Sequence, residues 1–181
     1  MRQPLALHPD SRSTAVTGVE VLASRRGAGQ LVLRFAVAGK ISALRLPDVK
    51  ASTRADELWK HTCFEAFVRA STSNHYYEFN FAPSTQWAAY GFSEYRSGMH
   101  VAKEVKAPFI EVQAKEDRYS LQVSLDLERL PDLPKGAAWH VALAAVIEEK
   151  LGGTSYWALR HPPGKPDFHQ YDCFALELPA A

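Results

Sequence analysis

Between Tyr76 and Phe81 the chain reads YYEFNF. Tyr76, Glu78 and Asn80 alternate there with Tyr77, Phe79 and Phe81. Successive side chains of a strand face opposite sides, so a phenol, an acid and an amide share one face of a segment otherwise built for a core. Just downstream follow Pro83, Trp87, Tyr90, Tyr95, Arg96 and Met99. Aromatics with a few hydrogen-bonding groups have the composition of a ligand site; an aromatic core with a solvated back face has the same composition. Trp59, Trp87 and Trp157 fall at strand edges or in loops, where a large ring can stack on the C–H face of a sugar while Glu78, Asn80 and Arg96 hold hydroxyls. Trp139 sits in a core pattern and is assigned to packing.

A second stretch that could do chemistry is His161-Pro162-Pro163-Gly164-Lys165-Pro166-Asp167-Phe168-His169. Its prolines and glycine make a stiff, sharply bent loop, and loops held rigid often carry function. His161, Lys165, Asp167 and His169 are its polar groups. The alternative is a structural loop in which Asp167 caps backbone amides. A metal site from His161, Asp167 and His169 lacks a spacing rule to support it, so no metal is expected. Catalytic signatures are absent: there is no G-x-S-x-G, no H-E-x-x-H and no Gly-rich phosphate loop. Glu65 and Glu78, on adjacent strands, could act as an acid/base pair of the glycosidase kind if they share one face. With no activated nucleophile, binding without catalysis is the expectation, and no catalytic residue is assigned.

These groups need a scaffold, and 181 residues suffice for one domain, 1–181. A chain of this length buries roughly 70% of its unfolded surface. Hydrophobic residues make up 46%, and the net charge is only +1, so no basic field points to nucleic acid or an anionic membrane. The N-terminal MRQPLALHPDSRSTAV lacks the apolar core of a signal peptide, which gives a cytoplasmic expectation. Cys63 and Cys173 each lead into an apolar run without C-x-x-C spacing, so both are expected reduced and buried.

Alternation predicts strands at Leu5–Leu7, Val16–Ala23, Gln30–Ala38, Ile41–Leu46, Cys63–Arg69, Tyr76–Phe81, Phe92–Tyr95, Val101–Lys106, Phe109–Ala114, Tyr119–Leu125, Thr154–Leu159 and Cys173–Leu178. The polar residues 71–74 make a turn that pairs Cys63–Arg69 with Tyr76–Phe81. A short helical turn before Trp59 is possible within Ser52–Leu58. Trp139–Ile147 is apolar on both faces and reads as a buried strand; a helix is its rival, since AALAAVIEEK is rich in Ala and Glu. Asp126–Leu130 is the best local helix, capped by Asp126. Setting aside the weak signals at Leu5–Leu7 and Phe92–Tyr95, about ten or eleven short strands and one short helix make an all-β, antiparallel β-sandwich of immunoglobulin-like or jelly-roll type.

Three motifs carry a resemblance: LWKHTCFEAFV, YYEFNFAPSTQWAAYGFSEYRSGM and HPPGKPDFHQYDCFALEL. Over residues 55–178 the chain resembles bacterial DOMON-like domains, which are related to family nine carbohydrate-binding modules and to cytochrome domains that hold b-type haem. The resemblance implies a sandwich of about eleven strands with a ligand at one end or on one face, and a small-molecule partner, a carbohydrate or sugar-like metabolite. The sugar-binding relatives clamp a sugar between two tryptophans, which implies Trp87 with Trp59 or Trp157. The haem-binding relatives use an axial Met and His, which implies Met99 and His161 as the alternative, with haem b as cofactor; on the sugar reading no cofactor is expected.

Overall fold

The computed structural model describes residues 2–180 and forms an all-antiparallel β-structure. Its strands are β1 (Arg2–Leu7), β2 (Val16–Arg26), β3 (Gln30–Gly39), β4 (Cys63–Ala70), β5 (Tyr76–Phe81), β6 (Trp87–Phe92), β7 (His100–Val101), β8 (Phe109–Ala114), β9 (Arg118–Asp126), β10 (Trp139–Glu148), β11 (Thr154–Ala158) and β12 (Leu176–Leu178). They follow the order β7-β6-β5-β4-β10-β11-β1-β2-β3-β9-β8, with β12 beside β10. The turn of the sheet is made in β1. Its residues Arg2–Leu5 pair with β2, while Ala6 and Leu7 pair with β11. One strand thus passes from one layer to the other, and the two layers close as a sandwich.

The layers meet through the alternation that the sequence carries. In β3, Leu31, Leu33, Phe35 and Val37 are buried, in register with Leu125, Val123, Leu121 and Tyr119 of β9. From the other layer, Phe64, Ala66 and Val68 of β4 and Tyr77, Phe79 and Phe81 of β5 enter the same core. Each large side chain there contributes roughly 1.5–3 kcal/mol. β10 is central, paired with β4 along one edge and with β12 and β11 along the other. A strand with two paired edges and two covered faces is apolar throughout, which is why Trp139–Ile147 lacks polar alternation. The helix rival is excluded.

Several local expectations need correction. Asp126–Leu130 is a turn: Asp126 Oδ1 accepts the Glu128 N–H at 3.1 Å, and the Leu127 N–H goes to Gly29 O at 2.8 Å, away from any helical partner. Ile41–Leu46 holds a 3-10 turn at Ile41–Ala43 in place of a strand. The strand expected at Val101–Lys106 shrinks to His100–Val101, and that expected at Phe92–Tyr95 is β6, which starts five residues earlier than expected and ends at Phe92. β6 was masked because WAAYGF is apolar on both faces. The last strand begins at Leu176, after a 3-10 turn at Tyr171–Cys173. Cys63 and Cys173 are free and buried, and β4 and β5 pair as expected.

The N-terminal connection is tied down by one acid. Glu149 Oε1 accepts the Thr14 N–H at 3.0 Å and the Ala15 N–H at 3.2 Å, and the Ser13 and Thr14 hydroxyls also donate to the carboxylate. Burial alone would raise this carboxyl; the four donors more than offset that and hold it below the usual range. A depressed carboxyl stabilises the fold above its unfolded pKa, and that contribution is lost as pH falls through the folded value. Glu149→Ala should cost about 2–3 kcal/mol, a drop in Tm of roughly 5–10 °C at pH 7, narrowing toward pH 3. Calorimetric scans at the two pH values check this.

Candidate functional site

The sheet containing β4, β5, β6, β10 and β11 has a second buried face, turned away from the sandwich core. It carries Phe67, Tyr76, Ala88, Tyr90, Phe92, Ala142, Ala144, Val146 and Ala158. Glu65, Glu78 and Asn80 lie on it as well, since Glu65 pairs across the ladder with Asn80 and Phe67 with Glu78. The two acids are therefore diagonal neighbours on one face. On its other side Glu65 faces Ala144, which in turn faces Ala158. A cavity of about 480 Å³ opens on this face beside Glu65, Glu78 and Val146. That is the size of a small-ligand site.

Three segments form the rim. A 3-10 turn at Leu58–Lys60 brings Trp59 and Lys60. The turn after β6 brings Arg96 and Met99, and the proline-rich loop brings Pro166, Phe168 and His169. Phe92, Val146, Thr154 and Tyr156 complete the walls, and Glu65 and Glu78 the floor. The Trp59 ring meets Tyr90 edge-on at 6.1 Å and stays 37% exposed, open to a stacking partner. Among the described residues, two of the three non-glycine residues with positive φ flank this site: Glu57 (φ 61°) just before the turn and Arg96 (φ 51°). Such strain is held only by surrounding contacts. Gly98 (φ 64°) closes the second rim turn, where an added Cβ would run into the Ser93 side chain.

A charged clamp joins two rim segments. Arg96 Nη2 donates to Asp167 Oδ1 at 2.8 Å, and the Tyr95 hydroxyl donates to Asp167 Oδ2. Asp167 also accepts the His169 N–H at 3.2 Å, so it both caps its own loop and pairs across to the next. Arg96 donates its backbone N–H to the Tyr76 hydroxyl at 3.1 Å, and that hydroxyl lies 2.8 Å from His169 Nδ1. Burial, with the Arg96 charge adding to it, lowers the His169 imidazole to about 4. At neutral pH the ring is uncharged, and Nδ1 and the Tyr76 hydroxyl share one hydrogen bond. Nε2 then faces Glu78 Oε2 at 3.7 Å, a distance too long for a hydrogen bond and, with a neutral ring, not an ion pair.

The floor is electrostatically costly. Glu65 is 3% exposed and Glu78 6%. Burial, and then the nearby Glu78, push the Glu65 carboxyl well above its ordinary range. Burial likewise raises Glu78, against the pull of the Asn80 amide, which donates to its Oε1 at 2.8 Å, and of Arg96.

Of the residues singled out from sequence, Trp59, Glu65, Glu78, Arg96, Met99 and His169 line one cavity. Asn80 and Asp167 support it from behind. Asn80 is fully buried beneath Glu78. Lys165 is exposed, outside the lining. Trp87 and Trp157 must be corrected: both are packed in the sandwich core and are no sugar clamp. Trp87 falls on the inward parity of β6 with the Arg54 guanidinium 4.2 Å above its ring. Trp157 falls inward on β11 and donates to Ser155 Oγ at 3.0 Å. Met99 and His161 do not line one cavity. His161 Nε2 lies 2.8 Å from Ala6 O, and its ring meets His8 at 4.8 Å, outside the cavity that Met99 lines. Among the described residues there is no cluster of three or more His, Cys, Asp or Glu that could hold a metal ion. Sequence reasoning did not place Phe92, Tyr156, Phe168 or Lys60 at the site; only strand register could have put the first two on the Glu78 face.

No protein-family model matches the sequence, and no curated protein matches it either. Solved structures match the fold. A candidate carbohydrate-binding protein from Bacteroides uniformis ATCC 8492 superposes with a TM-score of 0.70 at 16% identity, covering 96% of this chain and 83% of that one. A family nine carbohydrate-binding module from Caldicellulosiruptor kristjanssonii in complex with glucose gives 0.55 at 8% identity, covering 94% and 78%. A module of that family from the same organism, in complex with cellotriose, gives 0.52 at 7% identity, covering 91% and 74%. At these identities the similarity establishes the fold.

A carboxyl raised by burial destabilises the folded protein once it must ionise. The cost is absent below the unfolded value of about 4.3 and grows as pH rises through the folded pKa. Glu65→Gln should therefore stabilise the protein at pH 8 by about 1–3 kcal/mol, roughly 2–10 °C in Tm. At pH 4 the two proteins should melt within about 2 °C of each other. Paired melts at the two pH values test it.

Proposed function

We propose that this protein is a small-ligand-binding module whose ligand is a carbohydrate or sugar-like metabolite, held on the second face of the β4–β5–β6 sheet. The observation that carries the reading is a single cavity with one open aromatic face, Trp59, above a floor of two buried carboxyls. A ring can stack on the tryptophan while its hydroxyls reach Glu65, Glu78 and His169 Nε2. The fold similarity to modules in complex with glucose and with cellotriose supports the same reading, as does the DOMON-like resemblance of residues 55–178. Stacking with two or three charge-assisted hydrogen bonds corresponds to about 4–8 kcal/mol, a Kd between millimolar and micromolar.

A thermal-shift screen of mono- and disaccharides followed by calorimetry tests this. Trp59→Ala should weaken the best ligand about tenfold, and Trp87→Phe should leave the Kd within about twofold. The reading is lost if no sugar shifts the melting point at ~10 mM, a concentration above the weakest affinity proposed.

Glu65 and Glu78 do share one face, so glycoside hydrolysis is a second reading with an observation behind it. Release of nitrophenol from nitrophenyl glycosides, abolished in Glu78→Gln, would favour it over binding alone.

A further inference from the structure

The cations at the rim of the cavity are already neutralised from outside it. Lys60 Nζ lies 2.7 Å from Glu57 Oε1, and Arg96 pairs with Asp167 at 2.8 Å. Neither Glu57 nor Asp167 lines the cavity. The floor acids differ. Glu78 accepts one bond from Asn80, leaving Oε2 without a hydrogen bond. Glu65, 3% exposed on the cavity floor, has no hydrogen bond and no ion pair with any described residue. A carboxylate buried without a partner is expensive to the fold, and the missing partner can come only from the open side. Around it stand the rings of Trp59, Phe92, Tyr156 and Phe168 and the thioether of Met99, surfaces of the kind that attract an ammonium.

We propose that the Glu65–Glu78 floor takes the protonated amine of an amino sugar in preference to the hydroxyl at the same place on a neutral sugar. The proposal rests on the carbohydrate reading above and deepens it. An ammonium brings three donors and a charge, enough for Glu65 and for the open Oε2 of Glu78 together. A hydroxyl brings one donor and no charge, and an acetylated amine brings one N–H and no charge. Seating the ammonium requires ionised carboxyls, so affinity for the amine should fall as the pH is lowered, while affinity for the neutral sugar should not fall in step.

Calorimetry of the intact protein with glucosamine, glucose and N-acetylglucosamine tests this at pH 7.0 and pH 5.0. Glucosamine should bind at least tenfold more tightly than either neutral sugar at pH 7.0, with most of that advantage lost at pH 5.0. In Glu65→Gln the preference should drop to within about twofold, measured on protein whose near-ultraviolet circular dichroism matches the parent. Glucose or N-acetylglucosamine binding as tightly as glucosamine overturns the proposal and leaves carbohydrate binding standing. An unchanged preference in Glu65→Gln overturns it too, because the acid would then not be the discriminator. If none of the three binds while another sugar does, the amine preference is overturned with the reading intact. If no carbohydrate binds at all, both fall.

Discussion

Alternation along the β4–β5 hairpin leaves its polar side chains nowhere to go but a second buried face. Phe64, Ala66, Val68, Tyr77, Phe79 and Phe81 fill the sandwich core, so Glu65, Glu78 and Asn80 must all point the opposite way. In most antiparallel sheets that face would be wet. Here the loop carrying Phe168, Cys173 and Phe174 packs onto it, and the acids lose their solvent. The rest of the site follows from that constraint: the raised carboxyls and the neutral His169.

The rim is held by contacts that each join separate parts of the chain. Arg96 and Asp167 connect the turn after β6 with the proline-rich loop. Arg54 connects the segment before Trp59 to β6: its Nη2 donates to Ala102 O and Val105 O, each at 2.7 Å, while its guanidinium covers Trp87. Both arginines thereby fix backbone whose job is to present another residue, Met99 in one case and Trp59 in the other. The left-handed φ values at Glu57 and Arg96 sit where these ties are made. A rim assembled this way keeps the cavity open without a ligand and limits the ordering cost of binding one.

Much of the fold was legible because its strongest strands alternate cleanly. β3 and β9 show period two over their whole length, and their register places like with like. β5 gave the polar face outright. What was hidden has a common cause. β6 and β10 are buried on both faces, so neither shows a polar period; β10 was recoverable from its length and flanking turns, and β6, rich in alanine and glycine, was not. The tryptophans misled for the same reason. Trp87 and Trp157 stand near loops in the sequence, yet inward parity on β6 and β11 packs both into the core. Trp59, in a 3-10 turn outside any ladder, escapes that rule. Asp167 was legible as a cap but not as the partner of Arg96, because that pairing links positions 71 residues apart.

On the proposed reading, ligand enters on the second face, beside Trp59 and over Glu65, and not between tryptophans of the sandwich. The four indole N–H signals report on this directly. A nitrogen–proton correlation spectrum of labelled protein, recorded with and without a saturating sugar, should move the Trp59 indole signal and leave those of Trp87, Trp139 and Trp157 in place. A shift at Trp87 or Trp157 with Trp59 unmoved would place the ligand away from the second face.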